Sequence, residues 1–337
     1  MALILGFDAW AVPAAPNVVT LTQPDGFTFE AMQKGDEYAS WMVTLDGISI
    51  VLAGGEWFYA IQDAAGDLIS SGSSVGSLAQ AELAQWPLGL SPYVDPDTRE
   101  KHYPMRYRES ADPSRALTHT QKVLTILVHY TDISFTYLDP SFQSLIYGVS
   151  ASVKDFFSDN SYASFTVSPA AETSGTLNDG IVHISRPIAH PDLGGGDWTA
   201  EASAIVSAVD PSVDFSSFDT NADGTISARE LSIVIILAGY EASVAGASSP
   251  NVWGHKFSFS TITLDGKGLS PYTMFGERHQ THQATIGIMC HELGHLMLGL
   301  PDLYDTTPQG DADSEGIGEW GLMGNGSWNK TGSFFGD

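Results

Sequence analysis

The sequence predicts an α+β fold in two parts, and three observations carry that prediction. Between residues 17 and 90, short β-type runs alternate with Gly and Asp turns. From residue 121 onward, longer apolar runs alternate with stretches of helical periodicity. The order ends in an apolar helix that contains His291-Glu292-Leu293-Gly294-His295. A length of 337 residues suits about two domains, and a hydrophobic content of 43% is enough for a sizeable core.

In chain order, the apolar start Met1-Ala2-Leu3-Ile4-Leu5-Gly6-Phe7 and the small-residue pattern Ala9-Trp10-Ala11 read residues 1–16 as the remnant of a secretory leader. Residues 17–90 form a small β-rich part, with strands expected over 18–21, 41–45, 48–52 and 57–61. Residues 91–120 are polar and proline-bearing, and they hold Arg99, Lys101, Arg106, Arg108 and Arg115, a basic cluster in an acidic chain. That composition predicts a linker, and exposed basic linkers are favoured sites of nicking. The second part spans 121–337 and opens on a near-continuous apolar run over 122–130, as expected of a central strand. A helix over 145–157, strands at 165–167 and 181–184, a helix over 198–209 and a strand over 232–237 follow.

The last helix carries the chemistry. Residues four apart lie one above the other on a helix, so His291 and His295 can each offer a ring nitrogen to one metal ion, with Glu292 beside them as a general base. Leu293, Leu296, Met297 and Leu300 continue the apolar face. Gly299 and Pro301 are a stop signal, so the chain turns just past the second histidine. A carboxylate beyond that turn can fold back as third ligand. Asp302 is the first choice, with Asp305, Glu315 and Glu319 as alternatives.

A second signal runs from Asp219 to Glu230. Asp219, Asn221, Asp223, Thr225 and Glu230 fall at positions one, three, five, seven and twelve of a calcium loop, and Gly224 falls at its sharp turn. The residues that follow are β-branched and read as a buried strand, so the expected ion is a structural Ca2+.

Composition narrows the partners. A formal charge of −26, from 14 basic and 40 acidic residues, argues against nucleic acid and anionic membranes. No stretch approaches the ~18 apolar residues of a membrane span, so no membrane insertion is expected. Cys290 is the one cysteine, which excludes an internal disulfide framework and reads as a small buried apolar residue. His129, His183, His255, His279 and His282 have no ligand spacing to one another and read as structural.

HELGH (291–295), LGLPDLYD (298–305) and GIGEWGLMGNGSWN (316–329) together resemble the immune inhibitor A family of secreted zinc metallopeptidases. QPDGFTF (23–29), GDEYASW (35–41), KDFFSDNSYASFTV (154–167), the acidic loop and LAGYEAS (237–243) extend the resemblance in the family's order. The resemblance implies a zincin-like metallopeptidase domain preceded by a β-rich pro-segment, zinc bound by His291, His295 and Asp302, and endopeptidase activity on protein substrates outside the cell. Relatives commonly have one residue fewer between the second histidine and the aspartate. The resemblance also makes Met323 the floor of a turn under the metal and offers Tyr304 as an oxyanion donor. Relatives run on past the position of Asp337, so part of the cleft wall is expected to be missing here. Two other function classes are weighed against the secreted zinc endopeptidase: an extracellular calcium-binding module with an inactive zincin domain, and a metal hydrolase that does not act on peptides.

Overall fold

A computed structural model of the chain describes residues 10–36, 39–93, 119–304 and 316–329. After a two-residue strand β1 (Trp10–Ala11), six strands follow one another as an antiparallel meander. They are β2 (Val18–Thr22), β3 (Thr28–Gly35), β4 (Ser40–Thr44), β5 (Ser49–Ala53), β6 (Glu56–Gln62) and β7 (Leu68–Ser74), and a one-turn helix α1 (Gln80–Leu83) comes after them. Each reversal falls at a Gly or Asp turn, and the sheet covers a small core of Ala31, Ile48, Ile50, Tyr59 and Val75. Gln23 pins its edge. Its amide donates to the carbonyls of Trp57 (2.7 Å) and Val75 (3.1 Å), and its own carbonyl accepts from the Trp57 N–H at 2.8 Å.

The second sheet is mixed and larger. Its strands are β8 (His119–His129), β9 (Phe165–Pro169), β10 (Ile181–Ser185), β11 (Ser232–Glu241), β12 (Asn251–Val252), β13 (His255–Leu264), β14 (Lys267–His279) and β15 (His282–Gln283), joined at one edge by β1. The order is β1-β13-β14-β11-β8-β10, with β8, β11 and β14 parallel and β13 and β1 antiparallel at the edge. Val123 and Leu127 of β8 and Val234 and Ile236 of β11 face the helices α2 (Asp139–Tyr147), α3 (Val153–Asn160) and α5 (Ile286–Leu298). Leu124, Ile126, Val128, Ile233, Ile235 and Leu237 face the opposite way, toward α4 (Thr199–Ala208). Burial on both faces is why these strands read as continuous apolar runs.

One expected helix is divided and one hairpin is added. The helix expected over 145–157 is two helices, because Gly148 ends α2 and Ser152 starts α3. Ser152 Oγ accepts the Asp155 N–H (3.0 Å) while the Asp155 carboxylate accepts the Ala151 N–H (2.8 Å), a reciprocal cap that outweighs helical periodicity across the break. The β13–β14 hairpin was not anticipated, although Asp265-Gly266, with φ of 47° and 75°, is a two-residue hairpin turn signal. Part of the segment 1–16, read from sequence as a leader remnant, is described. Residues 10–11 pair with β13, and Val12, Ala14 and Ala15 are buried in the core of the second sheet. Residues 1–9 lie outside the described residues, as do 94–118 with the basic cluster. Strand β8 begins at His119, just inside the expected linker. Among the described residues no helix is long and apolar enough to cross a membrane.

Candidate metal centre

Helix α5 is an interior helix. Every residue from Ile286 to Met297 is buried, and the helix packs on β13, β14 and β1. Each buried apolar side chain, such as Ile288, Leu293 or Met297, contributes about 1.5–3 kcal/mol, which outweighs the ~1 kcal/mol lost to glycine at Gly294. Gly299 ends the helix in the left-handed conformation (φ 66°), its N–H bonded to the His295 carbonyl at 3.0 Å. The Leu300 N–H returns to the Gly294 carbonyl at 3.3 Å, and this reversal brings Asp302 back over the histidines.

His291 Nε2 and His295 Nε2 lie 3.0 Å apart, and Asp302 Oδ1 is 3.1 Å from the first and 3.2 Å from the second. The longer spacing between His295 and Asp302 is therefore compatible with convergence. Protons on the rings are fixed from outside. His291 Nδ1 lies 2.8 Å from the Leu322 carbonyl and His295 Nδ1 lies 2.6 Å from the Leu300 carbonyl. A carbonyl oxygen only accepts, so each Nδ1 carries a hydrogen, the arrangement that leaves Nε2 as the nitrogen turned toward a metal. Burial lowers the His295 pKa and keeps that ring neutral.

Three electron-rich atoms thus converge in a nearly equilateral triangle, an arrangement that repels itself unless a cation sits over it. A tetrahedral zinc bound at ~2.0–2.1 Å needs donors about 3.3 Å apart, close to the observed triangle, so these residues fit that ion. Glu292 is fully buried beside the triangle, its Oε1 3.9 Å from His291 Nε2. His291, Glu292 and His295 form the buried group among the described residues whose ligand atoms are close enough to hold a metal. Glu319 is exposed, while Asp305 and Glu315 lie outside the described residues. Cys290 is buried, and burial pushes its thiol pKa up, so it is an inert packing residue.

The loop after Asp302 is tied back to the site. Met323 O accepts the Leu303 N–H at 2.7 Å, and Leu303 O accepts the Ile317 N–H at 2.8 Å. A Cβ at Gly294 would stand 3.2 Å from Met323 Sδ, so glycine in mid-helix lets the methionine lie against α5. The carbonyls of Leu300 and Leu322, which set both ring orientations, were not legible in the sequence because any residue supplies a carbonyl. The remaining histidines are structural in their contacts. His183 Nε2 meets Asp139 at 2.8 Å, and His255 is buried between the Trp253 carbonyl and Tyr272.

The acidic loop is built differently, and its contacts give the expected calcium no support. Asp219 Oδ2 accepts the Gly224 N–H at 3.0 Å and the Lys267 ammonium at 2.7 Å. Asp223 Oδ1 accepts both the N–H and the hydroxyl of Thr225, and Asn221 bonds Asp223 through its Nδ2 and its Oδ1. Glu230 Oε1 takes the N–H groups of Thr220 and Asn221, and its Oε2 takes the N–H and hydroxyl of Ser227. A calcium loop needs six or more oxygens turned inward, with both oxygens of the last glutamate on the ion. Here the lysine supplies the positive charge and the loop's own donors take the rest. The Lys267 hydrogen bond leads in lowering the Asp219 pKa. Lys267 is 48 residues from Asp219 in sequence, which is why spacing alone missed it.

Residues 206–335 match the family model described as the immune inhibitor A peptidase M6 catalytic domain, a span that includes the acidic loop, α5, Asp302 and Met323. No curated protein matches the chain. The matched segment holds the convergent His291, His295 and Asp302, so over residues 206–335 the chain is similar to the immune inhibitor A metallopeptidases.

Proposed function

We propose that the protein is a secreted zinc endopeptidase made in a latent form, with His291, His295 and Asp302 as zinc ligands and Glu292 as general base. The observation that carries this reading is the buried triangle of three lone-pair donors with a carboxylate beside it. A zinc ion held there by His291, His295 and Asp302 would supply the Lewis acidity that makes water a nucleophile at neutral pH. Glu292 takes a proton from the attacking water, the oxygen adds to the scissile carbonyl, and the C–N bond breaks as Glu292 returns the proton to the leaving amine. The Leu300 and Leu322 carbonyls keep both imidazoles in the tautomer that binds metal. Met323 acts as floor by packing.

Latency rests on burial. The side chains of His291, His295 and Glu292 have no exposed surface and that of Asp302 has 2%, so a peptide reaches them only after the chain opens. The six-stranded sheet then serves as pro-segment, with the processing segment at 91–120. An acidic chain with a single buried cysteine suits an extracellular medium. The calcium-module alternative is disfavoured by Lys267.

Metal analysis of the purified protein, followed by casein hydrolysis after limited proteolysis, tests the reading. We expect about one zinc per chain, and we expect Glu292→Gln to keep the zinc while activity falls ~10²–10⁴-fold. Zinc-free protein, or hydrolysis unchanged in the variant, would overturn it. Zinc with activity confined to small esters or amides would indicate a hydrolase of another class.

A further inference from the structure

The segment before the six-stranded sheet does not belong to that sheet. Its backbone adds a strand to the free edge of β13, pairing Trp10 with Lys256 and Ala11 with His255. Next, two buried indoles grip consecutive carbonyls: Trp253 Nε1 donates to Val12 O and Trp328 Nε1 to Pro13 O, both at 2.9 Å. Val12 and Ala15 are fully buried in the cluster that contains Trp253, Phe275, Ile288 and Trp328. Only then does the chain change partners. The Ala14 N–H reaches Gly35 O at 2.8 Å in the small sheet, while the Ala15 N–H reaches Ser243 O at 2.7 Å in the large one.

We propose that residues 10–15 are an anchor that keeps the six-stranded sheet bound to the peptidase domain after the connection between residues 93 and 119 is cut. Strand addition and two indole donors are the contacts by which extended peptides are held in grooves, and here the peptide is the chain's own. If the anchor left, Trp253 and Trp328, 2% and 5% exposed, would lose the acceptors of buried N–H groups. The seat also adjoins the metal site, because Trp328 lies in the turn that follows Leu322 and Met323. Cutting therefore yields a two-chain particle, and what activation displaces is a contact rather than the whole N-terminal part.

The test uses the full chain with Glu292→Gln, which blocks self-cleavage, and a specific protease site inserted between residues 93 and 119. We expect both fragments to co-elute on gel filtration at about 1 μM after complete cutting. Val12→Asp, which places a charge at a fully buried position, separates them. Trp328→Phe, which deletes one donor and keeps a ring, lowers the urea concentration at which they part. Gln33→Ala, whose amide makes only a 3.5 Å contact with the Ala242 carbonyl outside the anchor, leaves that concentration unchanged. The proposal falls if the cut parent fragments elute apart with a folded 119–337 piece, or if Val12→Asp co-elutes as tightly as the parent. Because the parent carries Glu292→Gln, the outcome does not depend on proteolytic activity.

Discussion

The corner of α5 at residues 291–302 and the acidic loop at 219–230 both carry metal-ligand spacing, and they resolve their charge in opposite ways. At the corner, both Nδ1–H groups point outward and donate to the Leu300 and Leu322 carbonyls, so the two Nε2 atoms and Asp302 Oδ1 are the atoms that converge. In the loop, N–H and O–H donors point inward, and an ammonium group already lies on Asp219. Spacing brings oxygens and nitrogens together in both. Whether a cation is required depends on where the protons are and on which distant residue folds in beside them.

The largest effect that can break this comparison is at the corner. His295→Ala removes one of the three donors, so bound zinc, measured by competition with a chelator, should weaken by more than the ~10–100-fold typical of losing an outer-shell partner. Retention of zinc at parental affinity would mean that the triangle is not the site.

Acid sharpens the contrast. Burial holds His295 below the ordinary histidine value of 6.5 and His255 at about 4, so the unfolded chain takes up protons at these residues first as pH falls. Their contribution to stability is complete above pH 6.5 and is lost progressively as pH falls toward the folded values. His255 alone accounts for about 3 kcal/mol of that loss. Asp219, held below its ordinary 3.8 by Lys267, keeps its contribution until pH falls below 3.8. Urea unfolding at about pH 7 and about pH 5 should therefore show a lower midpoint at the acid value. Equal midpoints would contradict the burial of neutral histidine.

The smallest effect concerns the loop. Adding calcium or a calcium chelator to the parent should leave the melting temperature within error. Lys267→Gln should lower it by about 2–4 °C and make it respond to calcium, because the displaced positive charge leaves room for an ion. A clear rise in the parent's melting temperature with calcium would show that Lys267 gives way to the metal.

Much of this protein was legible before any coordinates. Period and composition placed β8, β11 and α5, since strands covered on both faces are apolar throughout and a helix four turns deep in a core has no polar face to hide. The stop at Gly299-Leu300-Pro301 and the choice of Asp302 followed from turn chemistry. Less was legible where local signals compete: Ser152 divided a helix, and the Asp265-Gly266 turn built a hairpin that periodicity had not marked.

The residue types at 291, 292, 295 and 302 and the hydrophobic rhythm around them are local properties, so the linear chain determined the helix, its end and the identity of the convergent groups. Tertiary structure alone decided the rest. It chose which carbonyls accept the histidine Nδ1–H groups, brought Lys267 across 48 positions to Asp219, and seated residues 10–15 against Trp253 and Trp328. Those choices depend on contacts between segments far apart in the chain, and electrostatics acts through space.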